Sequence, residues 1–305
     1  MAGYVLTRWN GLGDLAMLLC AAQAIKRATG KVIIVRTSPQ YVTLAEACPF
    51  VDAVVTSETV DPKYKAIDLG SAIHGITPTH EVDSFTNAVC SLNAPASNKS
   101  LILNIPNAQI HPAKRSSRRV LLCPAQGDPN RTLPIATWNF IASTLISLGY
   151  HVGVVGTKGT DKASPDISVD EVVDYRDTTI LQMVSLLQKS ALLVACDTGS
   201  IQLAGASDIG IVGVYSVVNG SSRLPFRHGQ LGWNATAVEP KCTSFPCYHK
   251  MMDPVFWTPA QQAIDAGKIT FGDVFVRWCP ANTNYSCMCD RGGEVVEACL
   301  KHLEG

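Results

Sequence analysis

The chain has 305 residues, of which 47% are hydrophobic and 16% are charged, with 25 basic and 25 acidic side chains. This apolar content is typical of a folded globular protein, and the length suits two domains of ordinary size. A net charge of zero argues against broad attraction to nucleic acid or membrane, so any polyanion site has to be local. No run of about 18 apolar residues and no signal-peptide pattern occurs, which predicts a cytoplasmic protein.

The first elements in chain order alternate between strand and helix. A helical run covers 15–27 and stops near a glycine at position 30. The strand-like segments around it are 4–8, 31–36, 53–55 and 65–69. Strands that alternate with helices form parallel sheets, so we expect an α/β domain over residues 1–112.

A polar, proline-bearing stretch over 104–119 separates this pattern from the next one. It contains the basic cluster Lys114, Arg115, Arg118 and Arg119. We place a domain boundary there, which leaves 113–305 as the second domain. Strand-like and helical segments then alternate without interruption and predict a second doubly wound parallel sheet. The chain ends with a predicted helix over 293–302.

The loop after the first strand is the first candidate site. In Gly11-Leu12-Gly13-Asp14 the two glycines let the backbone approach a ligand closely. Asp14 is either a first-turn acid favoured by the helix dipole or a general base at the edge of a cleft. The second interpretation follows because ligands bind at the carboxyl ends of parallel strands.

The second candidate is the turn at Asp197-Thr198-Gly199-Ser200, where an apolar run over 192–196 stops and helical spacing begins. We expect Gly199 to adopt a backbone conformation that other residues avoid, and Thr198 or Ser200 to cap the helix. The free N–H groups of the first turn would then attract phosphate. The alternative is an ordinary capped junction between a strand and a helix.

Arginines near these turns are candidates for holding a diphosphate. Arg131 lies in the loop that follows the first strand of the second domain, and its planar group of donors suits phosphate. The alternative for Arg131 is a solvated surface side chain. Arg223 and Arg227 follow the turn near position 200 and are weaker candidates.

Three segments in this order resemble one known family. They are Gly-Leu-Gly-Asp after the first strand, a basic residue shortly before a proline and Trp138, and Asp-Thr-Gly-Ser-Ile-Gln-Leu-Ala-Gly-Ala near position 200. Together they resemble the ADP-heptose heptosyltransferases of glycosyltransferase family 9, as does the segment 214–226. The resemblance covers both ends of the chain well and the middle of the first domain poorly.

The resemblance implies a GT-B fold, in which two Rossmann-like domains with parallel sheets face each other. The second domain would hold a nucleotide-diphosphate sugar and the first domain the acceptor, with no catalytic metal. We also expect the last helix to pack back toward the N-terminal domain. The implied activity is that of an inverting glycosyltransferase with a carbohydrate or other anionic acceptor.

Site residues follow from the same resemblance. Asp14 matches the family's proposed general base, and Arg131 stands where the family usually has lysine and would stabilise the leaving diphosphate. The remaining donor-binding residues would be Gly11, Gly13, Asp161, Asp197, Thr198, Gly199, Ser200 and Gln202. Asp161 lies near the family's ribose-binding acid, and Gln202 replaces a histidine that the family usually has.

Six of the 11 cysteines crowd into the last quarter of the chain. Four of them offer thiolates for a structural zinc or iron ion, namely Cys242, Cys247, Cys279 and Cys287, with Cys289 in reserve and His249 as an optional ligand. Some relatives in the resembling family bind iron through late cysteines. The spacing is not that of paired Cys-x2-Cys zinc sites, so free or redox-labile thiols are the alternative.

Two other functions stay open. The basic cluster and the compact first domain would fit a phage-type glycosyltransferase that acts on a modified DNA base, with nucleic acid as the acceptor. The chain would otherwise be a non-catalytic nucleotide-binding protein, which binds nucleotide but transfers nothing.

Overall fold

The computed structural model describes residues 2–9, 11–57, 59–69, 79–91, 93–124, 131–158, 165–247, 254–268, 279 and 286–305. Within these ranges the chain forms two parallel sheets and eight α-helices, which is the predicted α/β class. One sheet lies in residues 2–112, the N-terminal region, and the other in 113–305, the C-terminal region.

The first sheet has four parallel strands in the order β3-β2-β1-β4. The strands are Gly3–Thr7 (β1), Val32–Arg36 (β2), Ala53–Val55 (β3) and Tyr64–Asp68 (β4). The helices of this region are Leu12–Thr29 (α1), Val42–Glu46 (α2) and Glu81–Cys90 (α3). Every residue from Leu15 to Ile25 in α1 is buried, because this helix packs against α3 on one side and against the C-terminal region on another.

The second sheet has six parallel strands in the order β12-β9-β8-β5-β6-β7, and a short antiparallel hairpin pairs β10 with β11. The strands are Arg119–Cys123 (β5), His151–Val154 (β6), Val173–Asp174 (β7), Leu192–Cys196 (β8), Gly210–Val214 (β9), Phe226–Arg227 (β10), Gln230–Leu231 (β11) and Ala235–Val238 (β12). Strands β5, β8 and β9 are largely or fully buried and have continuous apolar sequences, as strands covered on both faces do.

Five helices accompany the second sheet in the described part of the chain. They are Ile135–Ser147 (α4), Ile180–Leu187 (α5), Gly199–Ala204 (α6), Pro254–Asp265 (α7) and Gly292–Glu304 (α8). Helices α4 and α8 share one core, in which Trp138 packs with Val295 and Cys299 and with side chains of β5, β8 and β9.

Helix α8 packs on the second sheet, and the expectation that the last helix turns back toward the N-terminal domain stays a prediction. Its apolar face, including Val295 and Cys299, is buried on the second sheet. Arg291, at the start of α8, donates a hydrogen bond of 2.7 Å to the carbonyl oxygen of Glu239, just after β12. This bond ties the beginning of the helix to the same sheet.

Polar contacts join the two regions at the start of α3. The His80 Nε2 atom lies 3.0 Å from the carbonyl oxygen of Leu224, while its Nδ1 accepts a 3.2 Å hydrogen bond from the Val82 amide. Both bonds require a neutral ring with its proton on Nε2. The neighbouring Glu81 carboxylate forms an ion pair with Arg223. The start of α3 is therefore held against the C-terminal region.

The neutral state of His80 predicts a pH-dependent stability. Burial lowers the pKa of His80 from 6.5 to about 4. Between pH 6.5 and about 4 the unfolded chain binds a proton at His80 and the folded chain does not. The contribution of the neutral His80 to the free energy of unfolding is therefore complete above pH 6.5 and is lost as the pH falls to about 4. We expect this contribution to the free energy of unfolding to fall by about 3 kcal/mol across the window.

The pH dependence of wild-type stability is compared with that of His80→Asn, whose side chain keeps an acceptor at the helix start but does not titrate. Denaturant unfolding of both proteins across the window gives the difference in slope. Parallel losses of stability in the two proteins would contradict the assignment of a neutral, buried His80.

Candidate functional site

A cavity of about 440 Å³, the front cavity, lies where the two regions meet. It is bounded by the loops that follow the carboxyl ends of β1, β5, β6 and β8, which is where parallel sheets bind ligands. The residues from the predicted site that line it are Gly13, Asp14, Arg131, Asp197, Thr198, Gly199, Ser200 and Gln202. Residues separated by more than 180 positions thus share one cavity. Asp161 lies outside the described residues.

Asp14 occupies the first turn of α1, and its carboxylate forms an ion pair with the guanidinium of Arg8. Both side chains are partly exposed, at 27% for Asp14 and 17% for Arg8. Arg8 directly follows the buried strand β1, and sequence reasoning missed it. The signal that was present is a basic residue immediately after an apolar strand.

Gly11 makes room for the Asp14 carboxylate. Its φ angle is 89°, a value that favours glycine, and a Cβ atom at this position would lie 2.3 Å from Asp14 Oδ2. Gly11 therefore has a steric role, which is to leave space for the Asp14 carboxylate, in addition to its predicted role in a ligand-binding turn. Any larger residue would displace the carboxylate that faces the cavity.

The first turns of α1 and α6 touch each other through two glycines. A Cβ atom on Gly13 would lie 3.1 Å from the Cα of Gly199, and a Cβ on Gly199 would lie 2.8 Å from the backbone nitrogen of Gly13. Gly199 does not have a positive φ angle, so the expectation of a special backbone conformation is wrong there. Glycine is required at this position because another backbone lies against it.

The turn at 197–200 differs from the predicted capped junction. Thr198 occupies the N-cap position of α6, but its hydroxyl makes no capping bond and lies 2.6 Å from the hydroxyl of Ser200. The Asp197 amide donates to the carbonyl oxygen of Val214 at 3.1 Å, which fixes the start of the turn. Gln202 donates to the carbonyl oxygen of Arg223.

Arg131 and Asp197 face each other in the front cavity. Arg131 Nη1 lies 3.4 Å from Asp197 Oδ2, and the Arg131 side chain is 33% exposed. Burial raises the pKa of the neighbouring Cys196 thiol to about 12, so Cys196 remains uncharged. Burial, together with the negative charges of Asp197 and Glu239, raises the pKa of Tyr215 well above 10.0. The charged side chains among the described residues that line the front cavity are the carboxylates of Asp14 and Asp197 and the guanidinium groups of Arg131 and Arg223.

The two later arginines have different places. Arg223 lines the front cavity and is paired with Glu81. Arg227 is buried and donates to the carbonyl oxygens of Ser207 and Ile209 at 2.9 and 2.7 Å. Arg227 therefore supports the fold and does not reach the front cavity.

The four cysteines predicted to bind metal lie near one another. Cys247 is buried, and the pKa of its thiol is raised to about 12 by burial and by the neighbouring Cys287, Cys279 and Cys242. Among the described residues, however, no group of three or more His, Cys, Asp or Glu side chains has an arrangement that could hold a metal ion. The optional ligand His249 lies outside the described residues.

The basic cluster makes contacts with its own region. Arg118 Nε donates to the carbonyl oxygen of Gly149 at 2.9 Å, and Arg119 Nη1 donates to that of Lys114 at the same distance. None of the four basic residues lines the front cavity. In the described part of the chain, no helix combines the length and the apolar character that crossing a membrane requires.

Comparisons with known proteins complete this description. No protein-family model and no curated protein matches the chain. Among solved structures it is similar to a family 9 glycosyl transferase from Veillonella parvula, at 13% identity and a TM-score of 0.69, over 99% of this chain and 97% of that one. The chain is also similar to ADP-heptose LPS heptosyltransferase II from Escherichia coli, at 15% sequence identity and a TM-score of 0.60. The match covers 87% of this chain and 98% of that one.

A third similar structure is TibC, an iron-containing dodecameric glycosyltransferase from enterotoxigenic Escherichia coli. It is 15% identical with a TM-score of 0.70, over 99% of this chain and 76% of TibC. The TM-scores establish a shared fold, and the low sequence identities show nothing beyond the fold. The chain therefore has the α/β fold, with two parallel sheets, that these glycosyltransferases have.

The contact between the two helix starts predicts the effect of Gly199→Ala. The new Cβ would lie 2.8 Å from the Gly13 nitrogen and 2.9 Å from the Leu12 Cβ, so backbone has to move. We expect a loss of roughly 1–3 kcal/mol in the free energy of unfolding, measured by denaturant titration.

Gly293→Ala in α8 is the matched control, because a Cβ atom at this position would have no other atom within 4 Å among the described residues. Alanine there should leave stability unchanged or raise it slightly, since alanine favours helix. Equal stability of the two variants would show that the close approach at Gly199 is absent.

Proposed function

We propose that the protein is a glycosyltransferase that moves a sugar from a nucleotide-diphosphate sugar to a hydroxyl group of an acceptor. In this proposal residues 1–112 and 113–305 are the acceptor and donor domains of a GT-B enzyme. The observation that carries it is the meeting of Asp14 with Arg131 and the 197–200 turn in one cavity. The likeness to TibC in complex with ADP-D-beta-D-heptose supports a nucleotide sugar as the donor.

The donor diphosphate would bind at the 197–200 turn. The first hydrogen bond of this turn runs from the Ile201 amide to the carbonyl oxygen of Thr198, so the amides of Gly199 and Ser200 precede it and remain available. Arg131 adds a permanent positive charge beside them. Its 3.4 Å contact with Asp197 is long for a hydrogen bond, and a diphosphate would compete for it well.

The nucleoside would lie against the remaining wall of the C-terminal region. Ile180 and Met183 from α5 line the front cavity there together with Gly156 and Thr157 after β6. The two apolar side chains suit the face of a base, and the loop that begins at Gly156 leads toward Asp161. Asp161 lies outside the described residues, and we keep it as the proposed ribose ligand on the sequence resemblance alone.

The proposed reaction is a single displacement at the anomeric carbon. The Asp14 carboxylate accepts the proton of the acceptor hydroxyl while that oxygen forms a bond to the anomeric carbon. The bond from this carbon to the diphosphate oxygen breaks, and the electron pair leaves with the diphosphate. Attack from the face opposite the leaving group inverts the configuration.

Two arginines have distinct tasks in this mechanism. Arg8, through its ion pair, orients the Asp14 carboxylate toward the cavity. Arg131 and the amides of the 197–200 turn stabilise the charge that grows on the leaving diphosphate. The acceptor would enter on the side of the N-terminal region, where Met17 and Tyr41 line the cavity, and we propose a carbohydrate or other anionic molecule.

Asp14→Asn tests the proposed base. An amide has a similar shape but cannot accept the proton, so we expect transfer from a nucleotide-diphosphate sugar to fall by about 100-fold or more. Binding of the nucleotide should stay near the wild-type affinity, because the donor contacts lie in the C-terminal region. Sugar transfer and nucleotide titration calorimetry measure the two effects.

Asp61→Asn is the matched control, since Asp61 is an exposed acid paired with Lys63 outside the front cavity. Its activity should equal that of the wild type. Full turnover by Asp14→Asn would show that another group takes the proton. A protein that binds nucleotide but never transfers a sugar would be the non-catalytic alternative.

We also propose that the late cysteines hold one structural zinc or iron ion. The support is the crowding of these four cysteines into residues 242–287; as they are placed among the described residues, no three of them form a group that could hold an ion, so binding would have to draw the thiolates together. Thiolates are the ligands that both metals take in tetrahedral sites. When bound, the ion would supply no chemistry to the transfer and would hold 242–247 and 279–287 together.

Elemental analysis of purified protein tests this assignment. We expect close to one equivalent of zinc or iron, and loss of most of it in Cys242→Ser. Cys90→Ser is the control, because Cys90 lies in α3, in the N-terminal region, and should leave the metal content unchanged. Metal-free wild-type protein from metal-supplemented cells would leave these residues as free thiols.

A further inference from the structure

A second cavity, of about 930 Å³, lies at the opposite edge of the second sheet, and we name it the rear cavity. Its walls include the segments that lead into three strands: Ser116 and Ser117 before β5, Ala191 before β8 and Ile209 before β9. The front cavity lies at the other ends of these strands. The two cavities are therefore at opposite ends of these strands.

Helix α1 connects the two cavities. Asp14 near its start lines the front cavity, while Gln23 and Arg27 in its second half line the rear cavity. The nine residues from Asp14 to Gln23 correspond to roughly 14 Å along a helix. No described residue lines both cavities, so a molecule in the rear cavity would not occupy the front one.

The rear cavity has a positive charge on two of its walls. Arg27 is exposed and, among the described residues, its polar and ring contacts are a 3.4 Å hydrogen bond to Asn98 and a contact with the Phe50 ring. Arg115 is exposed and, within the described chain, has no hydrogen bond or ion pair. The one carboxylate among the described lining residues is that of Asp208, which is paired with His228 at 2.7 Å. The excess of guanidinium groups favours an anionic ligand.

The same cavity has groups that hydrogen-bond neutral hydroxyls. The hydroxyls of Ser97, Ser100 and Ser117 line it, and the described chain offers them no partner. Gln23 is only 1% exposed, and its amide oxygen lacks a hydrogen bond to any described residue. This oxygen has no surface accessible to a ligand, so the hydroxyls of the three serines remain as neutral hydrogen-bonding groups of the cavity.

Apolar surface completes the lining. Ile102, at 39% exposure, and Leu101 lie on one wall. The cavity also reaches Gly205 after α6 and His302 in the last turn of α8. The carbonyl oxygens of Gln202, Leu203 and Ala204 at the end of α6 already accept the amides of Gly205, Ala206 and Ser207. Donors, acceptors and a small apolar surface together match a sugar ring, which has hydroxyl edges and an apolar face.

We propose that the rear cavity is a second ligand site, which binds a saccharide bearing a phosphate or carboxylate group. The anionic group binds Arg27 and Arg115, and the sugar hydroxyls bind the serines. The volume lies within the range of about 300–1,000 Å³ that is typical of small-molecule sites. Because Arg27 belongs to the N-terminal region and Arg115 to the C-terminal region, the bound saccharide bridges both. This site does not depend on the proposed transferase activity.

Titration calorimetry with glucose 6-phosphate, glucose and inorganic phosphate as separate probes tests the site. Glucose 6-phosphate should bind at least tenfold more tightly than either of the other two. Arg27→Gln and Arg115→Gln should each weaken its binding about tenfold or more, and Arg115→Lys less than Arg115→Gln. Arg118→Gln is the matched control, since Arg118 belongs to the same basic cluster but does not line the cavity.

Further titrations separate the rear site from the front one. Saturating ADP, Asp14→Asn and Arg131→Gln should each leave the affinity for glucose 6-phosphate unchanged, whatever the outcome of the transfer assays. Competition by ADP, weaker binding in Arg131→Gln, or an equal loss in Arg118→Gln would overturn the proposal. So would the absence of binding at millimolar concentration, or equal affinity for phosphate alone.

Discussion

The contact between the first turns of α1 and α6 is the constraint on which the site depends. Gly13 and Gly199 approach so closely that a side chain on either would meet the other's backbone. One helix belongs to the N-terminal region and the other to the C-terminal region. Their contact brings Asp14 to the same cavity as the 197–200 turn. Two loops that are far apart in the chain thereby form one candidate site.

Buried polar contacts reinforce this junction a short way from the cavity. His80 meets the carbonyl oxygen of Leu224, and Glu81 pairs with Arg223, which itself lines the front cavity. These contacts are directional and lie in a largely desolvated place, so they specify one relative position of the two regions. The front cavity, which includes Gly13 and Gly199 of the α1–α6 contact, lies at the start of α1, and the rear cavity lies along the second half of this helix. A change in the junction would be felt in both cavities.

Short-range sequence patterns are sufficient to predict the two sheets and the position of the candidate site. Apolar runs of strand length alternate with helical spacing, and polar turns such as Gly11 to Asp14 follow those runs. Why a particular residue is needed at a given position depends on partners that are distant in sequence. The need for glycine at 199 comes from Gly13, the role of Arg8 from Asp14, and the packing of the last helix from the second sheet. No local pattern contains those pairings.

A crystal structure of the protein with ADP tests the central claim most directly, namely that the C-terminal region binds the donor diphosphate in the same cavity to which the N-terminal region brings Asp14. The account predicts diphosphate oxygens within hydrogen-bond distance of the Gly199 and Ser200 amides and of the Arg131 guanidinium, with the Asp14 carboxylate across the space for the sugar. ADP bound outside the front cavity, or with its diphosphate away from the 197–200 turn, would contradict it.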